Sequence, residues 1–598
     1  MIEPSRVRWV CLAVALLAPA GVSAQDVLVQ GRDAGVQPPA WVREALAADP
    51  NAFEFDRAWI QKVEGVLERR RAVAPALGPS LLASDLASAS AAVTGTLQVP
   101  VVLALYSDVT APYAPATYDT RLFGDGGGIV SISELYTEMS GGLFTVDGAV
   151  TAWAGLPTTA ENYEGSGANN RFGMVHHFLR NALDEADPSF DFGQFDNDGP
   201  DGVPNSGDDD GYVDVAAFLY ATPAMSCGGS AKGIWPHRWT YAAAKATSSV
   251  GGDGVYQSYG TNDPAANGGF IQVHDYIIQS GLDCDGSTIM GSGTMSHELG
   301  HALALPDLYD TSGLSEGIGH WGLMGSGNWN VQTSPAHMGA WSKETLGWVD
   351  VTTISTAQTV VLEPVQTARE VIRVDLPNSP EYFLLSNRQA IGSDEYVHAP
   401  GLLVWHIDPT VVGAGNTANA DRLHKKVDLE EADGNNDLDH KVNRGDAGDA
   451  FPQPGVTEFS GGTRPRALPY AGGPCTPAIR NIVAGPGTSV TFDFIPEELW
   501  VLWGDVNRSG ILGLIDAAEA YWYSLGWRDA DTQRFLSVAD VDGDGDVDAR
   551  DGLIIDSHLA GVSTADFRVG QEEASVCADL PPLPVIDLAI TDRARGGG

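Results

Sequence analysis

Residues 294–307 read Thr294-Met-Ser-His297-Glu298-Leu-Gly-His301-Ala-Leu-Ala-Leu-Pro-Asp307. Two histidines four positions apart lie on one face of a helix, so both imidazoles can reach a single metal ion. Glu298 follows the first histidine, where its carboxylate can approach a metal-bound water without being a ligand itself. This spacing predicts a helix that holds a catalytic zinc ion, and we work outward from it.

The third zinc ligand must come from outside the five-residue motif, because a catalytic zinc needs three protein ligands and one open position. We expect Asp307, since a helix that stops near Ala304 and turns at the following proline can swing this carboxylate back. The offset matches the extended motif in which HExxH is followed by xxGxxH, with aspartate in place of the last histidine. Alanine at position 304 departs from that motif, where glycine permits a sharp turn. Glu316 and Glu344 are the competing third ligands, in the manner of enzymes that use a glutamate from a second helix.

A methionine-containing turn should underlie such a site. Gly322 to Gly327 supplies one, with small residues around Met324, which we expect to pack beneath the metal without binding it. Zinc would lower the pKa of its bound water toward ~7, and Glu298 would take the water proton as general base and pass it to the leaving amine. The motif therefore predicts hydrolysis by a zinc-activated water.

The chain has 598 residues, too many for one hydrophobic core, so several domains are expected. Its formal net charge of -44 disfavours nucleic acid and anionic membranes as partners. An excess of carboxylates fits calcium sites, a salty or extracellular habitat, or solubility alone.

The N-terminus has the three parts of a secretory signal peptide. Arg6 and Arg8 form a positive region, residues 9–17 are apolar and uncharged, and residues 22–24 are small. We therefore predict a signal peptide over residues 1–24 and an extracellular protein. The apolar run is too short for a permanent membrane span, and no later stretch is long enough.

Four cysteines remain once Cys11 leaves with the signal peptide, which permits two disulfides. We favour Cys227 with Cys284, because both lie in the segment assigned to one domain. Cys475 and Cys577 are then left as the second pair. None shows a CxxC spacing, which argues against a cysteine-ligated zinc.

The apolar pattern divides the chain further. Residues 25–95 resemble a propeptide, with a helix-like stretch from Phe55 to Arg71 and an Ala/Ser-rich linker after it. The continuous apolar strand from Val99 to Tyr106 should open a catalytic domain over residues 96–350. From residue 351 to 497, short strands separated by turn residues predict a β-sandwich-like domain, at Thr359–Leu362, Val371–Val374, Tyr382–Ser386, Leu402–Ile407 and Val490–Phe494. A helical module over 498–565 and a tail over 566–598 follow.

Two loops in the helical module have the oxygen spacing that calcium requires, with Asp where an EF-hand has Glu at position twelve. This pattern resembles dockerin modules, whose paired loop–helix repeats bind cohesins. Two calcium ions and a cohesin-like partner are expected on that basis. The expected ligands are Asp505, Asn507, Ser509, Ile511 and Asp516 in the first loop, and Asp540, Asp542, Asp544, Asp546 and Asp551 in the second.

A third acidic region spans residues 196–214, inside the expected catalytic domain. The sequence is compatible with a structural calcium site and with a solvated acidic loop. Calcium is one possibility because dense carboxylates repel one another unless a cation neutralises them. The spacing does not assign individual ligands.

Several segments together resemble the immune-inhibitor-A-type family of secreted bacterial metalloproteases. They are VVLALYSD near residue 100, SISELYTEMSGG near 131, HELGHALALPDLYD, WGLMGSGNW at 321, EYFLLSNRQ at 381, GLLVWHID at 401 and GDAGDAFP at 445. The resemblance implies an α+β zincin (metzincin-like) catalytic domain, a downstream β domain, synthesis as a zymogen and protein substrates. A propeptide carboxylate would then displace the catalytic water, and Asp49, Glu54 and Asp56 are the candidates.

The leading hypothesis is thus a secreted zinc endopeptidase of several domains. An inactive calcium-dependent binding or scaffold protein is one alternative, and an intact Glu298 argues against it. A zinc amidase acting on a non-protein substrate is another, and cleft shape would distinguish it.

Overall fold

The computed structural model shows two connected β-rich regions and an N-terminal segment packed against the first. The residues that it describes are 45, 48–49, 52–57, 59–73, 92–125, 129–164, 174–227, 233–377, 379–411, 417–470, 475–502, 541, 549–560 and 572–575.

The first region is built on a six-stranded sheet, and it also has a separate hairpin. The strands of the sheet are β1 (Gly95–Leu105), β2 (Phe144–Val150), β3 (Ala154–Gly155), β4 (Ala216–Tyr220), β5 (His237–Thr240) and β8 (Asp275–Ser280), and the hairpin has β6 (Tyr259–Pro264) and β7 (Phe270–Val273). The order in the sheet is β2-β1-β4-β8-β5, with the two-residue β3 also paired to β1. β1 pairs in parallel with β2 and β4, and β4 with β8, whereas the edge strand β5 runs antiparallel to β8.

Both faces of this sheet are covered, as the continuous apolar run from Val99 predicted. Val101 and Leu103 of β1 point into one core, and Val102 and Ala104 point into the other, because successive side chains of a strand alternate. The helices of this region are α2 (Pro115–Phe123), α3 (Ile132–Ser140), α4 (Ala160–Glu164), α5 (Val175–Ala186), α6 (Tyr241–Ala246), α7 (Gly293–Ala302), α8 (Asn328–Asn330) and α9 (Ala340–Leu346).

The N-terminal segment, defined here as residues 52–73, contains α1 (Ile60–Val73) and packs on the sheet. Trp59 is fully buried, its ring meets Phe144 edge-on at 5.3 Å, and its Nε1 donates to Asp214 Oδ2 at 3.0 Å. Val63 and Val66 extend the same contact. The expected helix from Phe55 therefore begins five residues later, at Ile60, and the segment shares the core of the region that follows.

The second region has two sheets that share one core. One sheet has the order β14-β13-β12-β11-β9, and the other β10-β16-β15 with β17 beside β16. Strands occur at all five places where the turn-bounded runs predicted them. The strands of the two sheets are β9 (Asp350–Thr353), β10 (Gln358–Leu362), β11 (Glu370–Asp375), β12 (Tyr382–Arg388), β13 (Gly401–Ile407), β14 (Val427–Leu429), β15 (Cys475–Ala484), β16 (Val490–Leu502) and β17 (Glu572–Ser575). Helix α10 (Val365–Ala368) lies between β10 and β11 in the sequence, and helix α11 (Ala549–Leu559) lies between β16 and β17.

Apolar packing continues across residue 350, where a domain boundary was expected. Leu384, Leu403 and Trp405 belong to the same buried cluster as Met295 and Leu299 of α7. The opposite face of their sheet packs against the second sheet. The two regions are therefore held by one continuous core.

Cys227 and Cys284 form a disulfide, which confirms that predicted pair. Cys577 lies outside the described residues, and the side chain of Cys475 is likewise not described. Within the described part of the chain, no helix has the length and apolar character needed to cross a membrane.

We expect replacement of Cys227 and Cys284 by serine to lower the free energy of unfolding. The bond closes 57 residues of chain, and loop-closure entropy for that length corresponds to about 4 kcal/mol, with engineered cases often smaller. Denaturant titration of the wild type and the double variant, both without reductant, measures the difference. Equal midpoints would show that the disulfide does not stabilise the fold.

Candidate metal centre

Helix α7 carries both histidines of the HExxH motif. Its Met295, Leu299 and Ala302 are fully buried, so this side of the helix is fixed against the core. His297 and His301, four positions apart, consequently project together from a rigid support. Both are buried, with 5% of each residue exposed.

The chain reverses immediately after α7. Leu305 N and Leu303 N both donate to Gly300 O, at 3.3 and 3.1 Å, which closes the last turn of the helix. Ala304 has φ of 59°, in the left-handed region that a side chain disfavours. The position where the sequence motif calls for glycine thus has the backbone geometry of glycine, although an alanine occupies it.

This reversal brings Asp307 back to the histidines. Its Oδ1 lies 3.0 Å from His297 Nε2 and 3.2 Å from His301 Nε2. One ligand atom from each of the three residues lies within 4.8 Å of the other two. The structure therefore brings together the three residues that the sequence proposed as zinc ligands.

The orientation of the imidazoles fits a metal. His297 Nδ1 lies 2.8 Å from Leu323 O, and His301 Nδ1 lies 2.7 Å from Leu305 O. A backbone carbonyl accepts only from a protonated Nδ1, so in each neutral imidazole Nε2 is the nitrogen whose lone pair could bind a metal. Two imidazole nitrogens and one carboxylate oxygen are the donor set of a catalytic zinc site with an open fourth position.

The methionine turn lies under this cluster, in Leu323–Gly327. Leu308 N donates to Met324 O at 2.8 Å, so the turn also holds the segment that carries Asp307. A Cβ at Gly300 would come within 2.4 Å of Met324 Sδ, which shows how closely α7 rests on the methionine. Met324 is buried and packs, as the sequence predicted for a residue that does not bind the metal.

Arg238, on the edge strand β5, contacts both Glu298, the candidate general base, and Asp307, a candidate zinc ligand. Its Nη1 lies 3.5 Å from Glu298 Oε2, and its Nη2 lies 3.7 Å from Asp307 Oδ2. Burial alone would raise the pKa of the Asp307 carboxyl, but His301 and Arg238 beside it hold that pKa well below its usual range. Asp307 is therefore ionised, as a metal ligand must be.

Tyr309 also faces the site, with its ring stacked on His297 at 6.0 Å between centroids. Burial, reinforced by the nearby Asp307 carboxylate, raises the pKa of the Tyr309 hydroxyl well above its ordinary value. Sequence reasoning missed both Arg238 and Tyr309. Tyr309 lies two residues after Asp307, so proximity was an available signal, whereas Arg238 is 60 residues from Glu298 and only the sheet brings it close.

The competing carboxylates are engaged elsewhere. Glu316 Oε2 lies 3.1 Å from Arg444 Nε, and Glu344 Oε2 accepts from the Tyr382 hydroxyl at 3.0 Å. The calcium ligands expected in the C-terminal loops lie outside the described residues, except that the backbone of Asp551 is part of α11.

Two family models match the chain. Residues 105–353 match the catalytic domain of the immune inhibitor A peptidases M6, and residues 503–560 match the dockerin type I domain. The resemblance drawn from the sequence motifs is therefore confirmed for both regions, and the chain is multidomain. Arg238, Glu298 and the three candidate ligands all fall inside the first match.

Two relatives are similar over the same part of the chain. Immune inhibitor A of Bacillus thuringiensis subsp. alesti is 31% identical over 251 residues, which cover 38% of this chain and 34% of the relative. Pre-pro-metalloprotease PrtV of Vibrio cholerae serotype O1 is 29% identical over 256 residues, covering 39% of this chain and 26% of the relative. The chain thus spans about a third or less of the length of these relatives.

We expect Ala304→Gly to stabilise the protein. Glycine relieves a left-handed strain of about 1–2 kcal/mol, while its own loss of backbone freedom costs roughly 0.5–1 kcal/mol, so a gain of up to about 1.5 kcal/mol remains. Ala302→Gly, inside α7, is the matched control and should lower stability by about 1 kcal/mol. Thermal denaturation of both variants measures the sign, and an equal loss in both would contradict a strained turn.

Proposed function

We propose that this chain is a secreted zinc endopeptidase, made as a zymogen, that hydrolyses peptide bonds in proteins with Glu298 as general base. The observation that carries the proposal is the convergence of His297, His301 and Asp307 at one buried point, with Glu298 beside it on α7. The names of the two relatives, immune inhibitor A and a pre-pro-metalloprotease, support the same activity.

Zinc bound by these three side chains supplies a Lewis acid, which lowers the pKa of a water and polarises a carbonyl oxygen. Glu298 follows His297 on the helix, and its side chain remains 15% exposed, so it can exchange a proton with solvent. The Arg238 guanidinium at 3.5 Å orients the carboxylate. Glu298 then takes the proton of the attacking water and returns it to the leaving amine.

Arg238 is best described as a positioning residue. It contacts both Glu298 and Asp307, and its side chain is only 9% exposed. A buried cation between two carboxylates fixes the distance between base and ligand more firmly than an exposed ion pair does. Such a contact would hold the proposed base in position before any substrate arrives.

The N-terminal segment supports the zymogen part of the proposal. Phe53 packs on Trp239 at 5.1 Å and on His237 at 6.1 Å, the two residues that flank Arg238 on β5. The segment therefore lies along the edge strand beside the candidate metal centre. A chain in that position obstructs the approach of a substrate.

Glu54 is the carboxylate that the geometry favours for latency. Burial raises the pKa of the Glu54 carboxyl, while the charge of Arg238 lowers it and the charges of Asp49 and Asp307 raise it further. Glu54 follows Phe53, which packs on both neighbours of Arg238. Its Oε1 is buried and has no hydrogen-bond partner among the described residues. A cation held by Asp307 would satisfy that oxygen.

The other two carboxylates considered for latency are placed differently. Asp56 Oδ1 lies 2.7 Å from His274 Nε2, and its Oδ2 accepts from the Tyr256 hydroxyl at 3.0 Å. Asp49 is exposed. Asp56 thus anchors the segment on His274 and Tyr256, which leaves Glu54 as the candidate with a buried oxygen that lacks a hydrogen bond from the described residues.

The dockerin match supports calcium binding by the C-terminal module and a cohesin-like protein as its partner. Such a module would attach the peptidase to a larger extracellular assembly. Secretion through a signal peptide over residues 1–24 is part of the same proposal.

We expect Glu298→Gln in the processed protein to lower kcat/KM on casein by at least about 10², because general base catalysis typically contributes 10²–10⁴-fold. Zinc content should stay at one per chain, whereas Asp307→Asn should lose zinc. Glu161→Gln, a surface carboxylate on α4, is the matched control and should behave as wild type. A zinc-loaded wild type that cuts no unfolded protein would instead favour the amidase or scaffold alternatives.

We expect Glu54→Gln to weaken latency in the uncut chain. Activity on casein should rise by at least about tenfold, because losing a buried charged contact costs more than the 1.4 kcal/mol that tenfold represents. A chelator should also remove zinc faster from this variant, which reports access to the site independently of turnover. Asp49→Asn is the control from the same segment, and identical behaviour of the two variants would exclude Glu54 as the blocking group.

A further inference from the structure

A second group of carboxylates converges on the loop that precedes β4. Oxygens of Asp196, Asp198 and Asp210 lie within 4.8 Å of one another. Asp196 is 1% exposed, Asp198 is half-buried and Asp210 lies at the surface. The group therefore runs from the protein interior to the solvent, like a site with an entry path.

Asp196 has an oxygen with no partner in the described part of the chain. Its Oδ2 accepts from Gly211 N at 3.1 Å, whereas its Oδ1 is buried and accepts no hydrogen bond from the described residues. A buried charged oxygen without a partner is strongly unfavourable. This oxygen needs a ligand that the chain itself does not provide there.

Burial and the surrounding carboxylates act together on these groups. They raise the pKa of Asp196 to about 8 and that of Asp198 to about 6. Both the cost of burial and the repulsion between the carboxylates are relieved when one divalent cation replaces the protons.

Glu431, Asp433 and Asp449 form another cluster of carboxylates, in the second region, and it differs from the first in its hydrogen bonds. Glu431 accepts from Asp437 N and Leu438 N, and Asp449 Oδ2 accepts from Trp321 Nε1. Hydrogen bonds from the chain thus serve these carboxylates, so that cluster gives no comparable reason to infer an ion.

We propose that Asp196, Asp198 and Asp210 bind a calcium ion, and that the N-terminal segment shares this site through Arg57. Calcium takes oxygen ligands at 2.3–2.6 Å, so oxygens on opposite sides of the ion are about 5 Å apart, which accommodates the observed spacing. Its flexible coordination of six to eight oxygens also suits an irregular loop better than magnesium's rigid octahedron does.

Arg57 of the N-terminal segment contacts one of the proposed calcium ligands directly. Arg57 Nη1 lies 2.9 Å from Asp210 Oδ2, and both side chains are about one-third exposed. Lys62 Nζ approaches Gly199 O at 3.5 Å, and Trp59 holds Asp214 next to the cluster. The segment therefore places two positive charges around the same carboxylates, and the guanidinium competes with the ion for Asp210.

Calcium binding to the full-length chain tests the site. Equilibrium dialysis should show one calcium fewer per chain for Asp198→Asn than for wild type. Asp208→Asn removes the same charge from an exposed position in the same loop and should keep the wild-type count. Zinc content checks that each variant is folded, and Asp210→Asn, at the surface, replaces Asp198→Asn if the latter does not fold. An unchanged count in these variants would overturn the proposal.

The variant Arg57→Gln tests whether Arg57 and calcium compete for Asp210. Without the guanidinium, calcium should bind this site about 2- to 5-fold more tightly, the range that corresponds to one exposed ion pair. The site's own affinity is obtained as the difference between titrations with and without the additional change Asp198→Asn. An affinity that is unchanged by Arg57→Gln would show that the segment and the ion do not compete.

Discussion

The chain reversal between His301 and Asp307 is the constraint on which the candidate metal centre depends. The helix supplies two histidine ligands, and a catalytic zinc needs a third protein ligand, which must come from a segment outside the helix. Ala304 supplies the change of direction through its left-handed backbone, and the turn around Met324 holds the returning segment against α7. The helix can serve as a fixed reference because Met295 and Leu299 are buried in the core beneath it.

Much of this arrangement could be predicted from sequence because it is local. The spacing of His297, His301 and Asp307 uses helical periodicity and one turn, and the β strands after residue 350 are marked by turn residues on both sides. Arg238 could not be found in this way, because it reaches Glu298 only through the antiparallel pairing of β5 with β8. The continuity of the core across residue 350 was also not visible, since an apolar strand pattern does not identify what covers each face.

The contacts of the N-terminal segment could not be predicted from the sequence either. Its helix was predicted, but its contacts were not, because Phe53, Arg57 and Trp59 meet residues more than 80 positions away. These contacts connect the edge strand, the acidic loop and the buried core in one short stretch. Removing the segment would therefore expose apolar surface and, in the same step, remove the positive charge of Arg57 from the acidic loop.

The acidic loop before β4 differs from the other buried carboxylates in the cations that are available to neutralise it. The chain has 78 acidic residues and 34 Lys and Arg, so most carboxylates cannot pair with a protein cation. In the second region the fold provides buried carboxylates with a cation or with neutral hydrogen-bond donors. Arg388 binds Asp394 within the core, and His406 lies between Glu381 and Glu430, which outweigh burial and raise the pKa of the histidine to about 9. Among the residues that the structure describes, the cations that contact the loop before β4 are the partly exposed Arg57 and Lys62. Both belong to a segment that a zymogen would lose on activation. A mature enzyme of this design would keep a buried carboxylate cluster without its cations, and an ion from the medium is the remaining way to neutralise it.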